Sequence, residues 1–536
     1  MIASTRLTYS MRIFMLPAAA IVLLSGCNER DSPSPLDAGG ESGDLWVPPD
    51  QLPWPDLGPD AAPPPPGCEG LGGFGSAQRI SARRAVQILI GTKLDRMVLL
   101  DAQGELVSIS LPSGKATKLQ SSILGVEWPD PAGKNLIASR ISQIDLNSYD
   151  LLVVPADGSS PAKVLAQTIC HHRIAPDGRS VLALAGCNSR VGLSEGTLQG
   201  IEVASGTVGW QVSGVAIDSY LFSPDGKWIA FVSDVKADPG CYHLKGTLGA
   251  VDSAGKLQPP LGPDTLASSL GFLPSGELLL QRLLSCAPDG IQLQRADPSG
   301  STPTTALAAG MDFGPFLDRR YTVSPDGKLV LAAQNGTQQS QLFAVQTNGG
   351  GQTLLAGDLF PYQAVSLAFQ PWAFSSNASH VIYTSVTSYP QIGLTAVSAN
   401  GVSPLPLATE IVPVVYDVST GADEVAFVDR SADEKRLWHA LLTSGASQMR
   451  FTSKHSLEQL RFVPDRRGLL VVEQDPAKST IHYVPRVGKG SAVALGSWGN
   501  SSIKGQTRYA VDPGGCALAY DSDQGAAGTH LVLIPR

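Results

Sequence analysis

The stretch FSPDGKWIAFV, residues 222–232, decides the fold of this chain. Its centre has the composition of a tight turn: Pro224 presets the backbone angle of the first turn position, Asp225 accepts from the amides that follow it, and Gly226 takes a conformation that a side chain would disfavour. The apolar run after Lys227 is short and rich in aromatic and β-branched residues, which is typical of a buried strand. The stretch therefore predicts the corner of a β-hairpin.

Degraded copies of this turn recur along the chain. Aligned on the proline, they lie at Pro131, Pro176, Pro224, Pro274, Pro325, Ser376, Thr420, Pro464 and Pro513. The copy at Pro325 also keeps Asp326 and Gly327. The intervals of 44 to 51 residues fall among those of four-stranded propeller blades. Tandem β-sandwiches are the alternative, but they would not keep one period over so many units.

The repeats predict an all-β protein with a single β-propeller of eight or nine four-stranded blades over residues 81–536. Eight units fit between about residues 121 and 497, and a ninth turn lies at 512–515. Earlier strands between residues 86 and 111 remain to be placed. Because propellers avoid exposed edges by closing on themselves, we expect a composite final blade built from both ends of the chain.

The pattern Phe-Ser-Pro-Asp-Gly-Lys followed by apolar residues resembles the WD-repeat-like propeller repeat of the TolB-like group, also seen in tricorn-type and dipeptidyl-peptidase-type propellers. The resemblance covers roughly residues 121–536 and is closest at 222–232 and 323–331. It implies the fold and says little about function. In place of the α/β domain that precedes the TolB propeller this chain has a Pro-rich segment, and we expect no hydrolase domain of the peptidase kind.

The first residues have the features of a bacterial export signal. Arg6 and Arg12 precede an apolar run at 13–24, which is too short to span a membrane comfortably. Translation from Met1 and translation from Met11 both preserve a positive end before this run.

The run ends in Leu24-Ser25-Gly26-Cys27, which resembles the lipobox of bacterial lipoproteins. The resemblance implies a signal peptide over 1–26, lipidation of Cys27, and attachment to a membrane by acyl chains. Asn28 after the cysteine, rather than Asp, favours the outer membrane over the inner one. The expected location is therefore the bacterial cell envelope, facing the periplasm or the cell surface.

Residues 27–80 are predicted to be the lipidated cysteine and a disordered linker. They are rich in Pro, Asp, Gly and Ser, including the run Pro63–Pro66. Such a segment buries too little apolar surface to offset the entropy of ordering, and it favours extended conformations. We expect it to act as a tether between the lipid and the propeller.

The composition argues against a nucleic-acid partner. The formal net charge is −8 at pH 7, whereas nucleic-acid binding requires a basic surface.

Six cysteines remain once Cys27 is lipidated, and an even number outside the cytosol is typical of disulfides. They are Cys68, Cys170, Cys187, Cys241, Cys286 and Cys516. The middle four are expected on one rim of the propeller, where Cys170 could bridge to Cys187 and Cys241 to Cys286. A bridge from Cys68 to Cys516 would then join the two ends of the chain and close a very long loop.

Metal and catalytic signals are weak. A zinc site would combine these thiols with His171, His172 or His243, but the chain has no C-x-x-C spacing, and we predict neither a metal nor another cofactor. The sequence Gly192-Leu193-Ser194-Glu195-Gly196 matches G-x-S-x-G, a motif that works only on a strand-to-helix turn.

Three further groups of polar residues give no specific catalytic or metal-binding signal. Asp145, Asn147 and Asp150 form a loose calcium-loop pattern without its glycine and terminal glutamate. The pair His171-His172 lies beside a strand expected to line the central channel, where it could donate to a ligand. Asp225 and Asp326 are interpreted as turn formers. No catalytic residue is predicted.

Two classes of function remain. The first is a non-catalytic envelope lipoprotein whose propeller binds a protein, peptide or glycan partner, since this fold often supplies binding faces without motifs. The second is a propeller enzyme, a hydrolase or lyase, with its active site in the central funnel. The second requires a convergent cluster of titratable groups, and the sequence gathers none.

Overall fold

A computed structural model describes residues 77–534, apart from the positions 92–93, 112, 129–133, 146–147, 191–192, 238–242, 268, 287–289, 311–320, 336–339, 360–371, 389–390, 420, 431–432, 464–467, 487–489, 500–508, 513 and 524–526. Of the two units into which the chain divides, residues 1–47 lie outside this described part, and residues 48–536 contain every described strand. The predicted signal peptide, the lipidation site Cys27 and the linker up to residue 76 lie outside it. Within the described part, no helix has the length and apolar character needed to cross a membrane.

The described elements are all strands. In chain order they are β1 (Gln78–Ser81), β2 (Ala85–Ile90), β3 (Arg96–Asp101), β4 (Leu106–Ser110), β5 (Ala116–Gln120), β6 (Ile123–Glu127), β7 (Asn135–Ile141), β8 (Tyr149–Pro155), β9 (Lys163–Ile174), β10 (Ser180–Arg190), β11 (Leu193–Glu202), β12 (Val208–Phe222), β13 (Trp228–Ala237), β14 (Leu244–Asp252), β15 (Gly262–Leu266), β16 (Gly271–Phe272), β17 (Leu278–Leu283), β18 (Ile291–Ala296), β19 (Thr305–Ala309), β20 (Tyr321–Val323), β21 (Leu329–Asn335), β22 (Ser340–Gln346), β23 (Gln352–Leu359), β24 (Trp372–Phe374), β25 (His380–Ser388), β26 (Gln391–Ser398), β27 (Leu405–Ala408), β28 (Ile411–Val418), β29 (Glu424–Arg430), β30 (Lys435–Leu441), β31 (Ser447–Ser453), β32 (Ser456–Phe462), β33 (Gly468–Gln474), β34 (Lys478–Pro485), β35 (Val493–Gly499), β36 (Tyr509–Val511), β37 (Ala517–Ser522) and β38 (Gly528–Leu533).

These strands group into antiparallel four-stranded blades, of which the described part of the chain contains ten. Blades 1 to 10 consist of β2–β5, β6–β9, β9–β12, β12–β15, β16–β19, β20–β23, β24–β27, β28–β31, β32–β35, and β36–β38 with β1. Strand β9 is long enough to belong to two blades, because its first half pairs with β8 and its second half with β10. Strand β12 does the same between β11 and β13.

Each blade packs on the next through apolar side chains, and the tenth blade packs on the first. Alternation along a strand gives every blade two faces, and both faces are apolar because a neighbouring blade covers each of them. The cluster that closes the ring joins Met97 and Leu99 of blade 1 to Ala519 and Leu531 of blade 10. The prediction of an all-β propeller is confirmed.

The last blade is composite, with three strands from the end of the chain and an outermost strand, β1, from its beginning. Arg79 of β1 lies opposite His530 of β38. The first described strand of the propeller, β1, begins at Gln78. Pairing β1 with β38 covers the edge that blade 10 would otherwise expose.

The count of ten blades corrects the predicted eight or nine. The early strands β2–β4 do not complete the last blade; together with β5 they form a blade of their own. Blade 1 was missed because the turn between β2 and β3, residues 91–95, lacks the Pro-Asp-Gly signature that marked the other turns. Ten blades exceed the common range of about four to eight.

The predicted turn residues occupy the connection between the first and second strands of their blades. Pro176, Pro224, Pro274 and Pro325 do so in blades 3 to 6. Pro131, Pro464 and Pro513 lie outside the described residues.

The turn at 222–232 is held by its own side chains. Ser223 Oγ accepts from the amide of Trp228 at 2.9 Å and donates to Asp225 Oδ1 at 2.7 Å, while Asp225 Oδ1 also accepts from the amide of Lys227 at 3.1 Å. The Ser223 hydrogen bond, followed by that of Lys227, lowers the pKa of Asp225 to about 2. Gly226 has a φ of +69°, which favours glycine.

The turn of blade 6 repeats this geometry. Ser324 Oγ accepts from the amide of Leu329 at 2.9 Å and donates to Asp326 Oδ1 at 2.7 Å, and Gly327 has a φ of +72°. In these two turns the serine before Pro-Asp-Gly is therefore as much a part of the turn as the proline.

The variant Ser223→Ala is expected to lower the free energy of unfolding by about 1 kcal/mol, because the amide of Trp228 loses its acceptor. Ser223 is fully buried, so water cannot replace the hydroxyl without a rearrangement. Urea denaturation measures the change. The exposed Ser253→Ala in the same blade is the control and should leave the midpoint unchanged; equal midpoints for both variants would contradict the assignment.

Candidate functional site

The first strands of blades 2, 3 and 4, together with the third strand of blade 2, hold a group of polar side chains that we call the inner histidine cluster. Its members are Glu127, Tyr149, His171, His172, Arg173 and Tyr220. His171, His172 and Arg173 are consecutive on β9, in the half of that strand that begins blade 3.

The two adjacent histidines face opposite neighbours. Because side chains alternate along a strand, His171 lies on the side of blade 4 and His172 on the side of blade 2. His171 contacts Tyr220 of β12, whereas His172 contacts Tyr149 of β8 and Glu127 of β6. The pair that stood out in the sequence therefore does not converge on one ligand atom.

His172 connects a carboxylate to a phenol. Its Nε2 lies 3.2 Å from Glu127 Oε1, and its Nδ1 lies 2.8 Å from the Tyr149 hydroxyl. A neutral His172 donates from Nε2 to the carboxylate, which leaves Nδ1 to accept from Tyr149. The hydrogen bond from His172 lowers the pKa of Glu127, against the opposing effect of burial.

The Tyr149 phenol is a poor base or nucleophile. Burial, with a smaller contribution from the Glu127 charge, raises the pKa of Tyr149 above its ordinary value. The hydroxyl therefore stays protonated at neutral pH and acts as a fixed donor to His172.

On the side of blade 4, the Tyr220 hydroxyl lies 2.6 Å from His171 Nδ1, with the two rings nearly perpendicular at 77°. The Arg173 guanidinium lies 6.0 Å from the centre of the Tyr220 ring, at the limit of a cation–π contact. Tyr220 itself is 1% exposed, so its face serves to hold the strand pair together.

The accessible charges of the inner histidine cluster are Glu127, whose side chain is 57% exposed, and Arg173, which is also exposed. The imidazoles and phenols behind them are engaged with one another. Such an arrangement presents one carboxylate and one guanidinium at fixed positions, which suits recognition of a polar partner.

The structure contains the disulfide Cys170–Cys187, with its Cα atoms 6.3 Å apart, between the first two strands of blade 3. Cys286 and Cys516 also take part in disulfides. Their predicted partners, Cys241 and Cys68, lie outside the described residues.

The weaker sequence candidates have ordinary structural positions. Ser194 lies within β11 opposite Ser189 of β10, in a strand pair and not at a strand-to-helix turn. Asp150 accepts from Arg140 Nη2 at 3.1 Å and is 2% exposed. Over the described part of the chain, no three His, Cys, Asp or Glu side chains converge in a way that could hold a metal ion.

A second polar cluster, which sequence reasoning missed, is buried between blades 8 and 9. Glu424 accepts two hydrogen bonds from Arg486 Nη1, at 2.9 and 2.8 Å, and lies 3.1 Å from His439 Nε2. These three residues are 4%, 7% and 1% exposed. The network joins one blade to the next and, being closed to solvent, is structural. Its members are up to 62 residues apart and share no motif.

Burial and the neighbouring charges shift the pKa values of the groups in this network. Burial alone would raise the pKa of Glu424, but His439 and Arg486 outweigh it, so that the pKa is lowered. Burial lowers the pKa of His439, with Glu424 opposing the shift. Burial and the charge of Arg486 lower the pKa of the neighbouring Arg450 to about 10.

Stability is expected to fall as the pH decreases below about 6.5. His439 takes up a proton at its ordinary pKa of 6.5 only in the unfolded chain, and Glu424 at its ordinary 4.5, so in both steps the unfolded state binds more protons. Thermal midpoints measured between pH 7.5 and 4 test this, with His439→Gln as the comparison. The variant should lose less stability between pH 7 and 5 than the wild type; parallel curves would show that His439 does not contribute.

The fold places the chain among the β-propeller proteins. No protein-family model and no curated protein sequence matches the chain.

Similar solved structures include the crystal structure of a eukaryotic initiation factor, at 8% identity and a TM-score of 0.48, covering 74% of this chain and 94% of that one. Another is Porphyromonas gingivalis dipeptidyl peptidase 4, at 14% identity and a TM-score of 0.40, covering 75% and 66%. A third is TolB from Acinetobacter baumannii, at 17% identity and a TM-score of 0.26, covering 60% and 79%. At these identities no activity or partner is carried over to this chain.

Proposed function

We propose that the chain is a non-catalytic lipoprotein of the bacterial cell envelope whose propeller is a scaffold for a protein, peptide or glycan partner. The location is supported by the lipobox-like Leu24–Cys27 and by Asn28, which favours the outer membrane. The disulfide Cys170–Cys187 supports an oxidising compartment.

The observation that carries the binding function is the state of the inner histidine cluster. His171 and His172 are each engaged by a tyrosine, and burial raises the pKa of Tyr149. An enzyme needs an accessible base or nucleophile with a pKa suited to its reaction. The groups left accessible, Glu127 and Arg173, are suited to contacts with a partner.

The competing function is a hydrolase or lyase, and the Glu127–His172–Tyr149 chain is the feature that favours it, because it has the order of a proton relay. The variant His172→Ala separates the two. If the protein is a scaffold, neither the wild type nor His172→Ala should show turnover. The variant should also retain at least part of the partner binding. Turnover of any peptide or glycan that disappears in His172→Ala would overturn the proposal.

The partner surface can be mapped in cells that make the full chain. A photo-crosslinking amino acid placed at Arg173 should join the propeller to an envelope component, whereas the same residue at the exposed turn position Lys256 should not. Equal labelling from both positions, or from neither, would contradict a partner at the inner strands.

The anchor is tested separately with Cys27→Ser. The wild type should incorporate labelled palmitate and sediment with outer membranes, and the variant should do neither. Incorporation of label by the variant would rule out Cys27 as the lipidated residue.

A further inference from the structure

A cleft of about 370 Å³ opens between blades 7 and 8, remote in sequence from the inner histidine cluster. Its volume lies at the lower end of the range of ligand sites, about 300–1,000 Å³. It is lined by Leu407, Ala408, Thr409, Glu410, Phe427, Asp429, Arg430, Arg436, Trp438 and Ser447.

The cleft forms where the short outer strand of blade 7 ends and the longer strands of blade 8 continue. Strand β27 stops at Ala408, while β29 and β30 run on to their connection after Arg430. On the face turned to blade 7, Phe427 lies opposite Trp438 and Asp429 opposite Arg436. Phe427 and Trp438, the deeper pair, belong to the apolar cluster between the two blades. Asp429 and Arg436, the outer pair, are charged.

Asp429 fixes the position of the indole. Its Oδ2 accepts from Trp438 Nε1 at 2.9 Å, which holds the ring in one orientation along the cleft. The other oxygen, Oδ1, is shielded from solvent and has no hydrogen-bond donor among the described residues. Burial, partly opposed by the hydrogen bond from Trp438, raises the pKa of this carboxyl group. Asp429 therefore acts as a fixed support for the indole at the edge of the cleft.

The charges that line the cleft balance. Glu410 and Asp429 carry negative charge, and Arg430 and Arg436 carry positive charge. A strongly charged ligand would be attracted by one pair and repelled by the other. A neutral ligand with many hydroxyl groups can donate to the carboxylates and accept from the guanidinium groups at once.

The aromatic floor suits the same ligand. A pyranose ring has a flat face of C–H groups, and placing this face on the partly exposed indole of Trp438 removes apolar surface of both partners from water. Polar groups at the mouth then reach the hydroxyls at the ring edge. We propose that the cleft between blades 7 and 8 is a binding site for neutral saccharides, occupied by the end of a glycan chain. This site goes beyond the proposed scaffold surface and involves different blades.

The test uses the purified full chain and isothermal titration with three probes: a neutral glucose oligomer, a neutral N-acetylglucosamine oligomer, and a tripeptide of mixed charge. At least one neutral oligomer should bind with a dissociation constant between about 10 μM and 1 mM, and the tripeptide should not bind. Absence of binding by both oligomers up to about 10 mM would overturn the proposal. Binding of the tripeptide alone would overturn it as well.

Two variants locate the binding. Asp429→Asn keeps the shape and can still accept from Trp438, but it removes a negative charge from the lining of the cleft, so affinity should fall about ten- to a hundredfold. Arg436→Met, at the outer edge of the cleft, should also lower the affinity for the saccharide. It should leave the Trp438 indole in place. Thermal midpoints of both variants establish that they are folded.

Asp326→Asn, an exposed aspartate in the turn of blade 6, is the matched control and should bind like the wild type. Unchanged affinity in both Asp429→Asn and Arg436→Met would show that the saccharide binds elsewhere and would refute the assignment.

Discussion

Replacement of Glu424 by Gln is expected to lower the free energy of unfolding by about 3–5 kcal/mol, because it leaves Arg486 buried without its anionic partner. The carboxylate accepts both short hydrogen bonds from Arg486 and contacts His439, and all three side chains are buried. A glutamine can supply one acceptor but no charge. Urea denaturation followed by tryptophan fluorescence measures the change.

The matched control is Lys328→Met, which removes an exposed ion pair with Asp326 and should change the free energy of unfolding by no more than about 1 kcal/mol. The double variant Glu424→Leu/Arg486→Met removes both buried charges and should recover part of the loss. If Glu424→Gln were no more destabilising than Lys328→Met, the network would not bind blade 8 to blade 9.

Deletion of β1, residues 78–81, is expected to destabilise the propeller by several kcal/mol, about one for each hydrogen bond lost from the ladder to β38. It also leaves β38 as an exposed edge, which promotes association between molecules. The urea midpoint should fall. The apparent molar mass measured by light scattering should increase as the protein concentration is raised.

The point variant Gly528→Ala should act in the same direction. Gly528 has a φ of +138°, and a Cβ there would collide with the carbonyl oxygen of Ser81 in β1. A deletion variant that stays monomeric and keeps the wild-type midpoint would contradict the role of β1 in closing the ring.

The turns explain why the fold could be predicted from the sequence. Ser223, Pro224, Asp225 and Gly226 satisfy their own hydrogen bonds and backbone angles locally, so the signal does not depend on distant residues. Eight blades and the turn of blade 10 followed from such repeats. Blade 1 did not, because the connection at 91–95 makes its turn without Pro-Asp-Gly.

The sites depend on contacts between blades and were less accessible to sequence reasoning. His171 and His172 were visible as a pair, but their partners Glu127, Tyr149 and Tyr220 come from other strands and carry no motif. Strand alternation, once the register was known, would have placed the two imidazoles on opposite faces.

The buried network and the cleft had no sequence signal at all. Glu424 and Arg486 are 62 residues apart, on blades 8 and 9. Asp429 and Trp438 meet only because β29 and β30 pair in one register, and the cleft beside them exists because β27 is short. Length differences between neighbouring strands cannot be inferred from a repeat period.

The most direct test of the closed ring is a disulfide cross-link between Arg79→Cys in β1 and His530→Cys in β38, which lie opposite each other. Peptide mass spectrometry of the oxidised monomer should find the two segments joined, as it should for the control pair Thr197→Cys and Ser213→Cys, whose hydroxyls lie 3.3 Å apart. A folded monomer that forms the control cross-link but not the one between β1 and β38 would contradict a propeller closed by both ends of the chain.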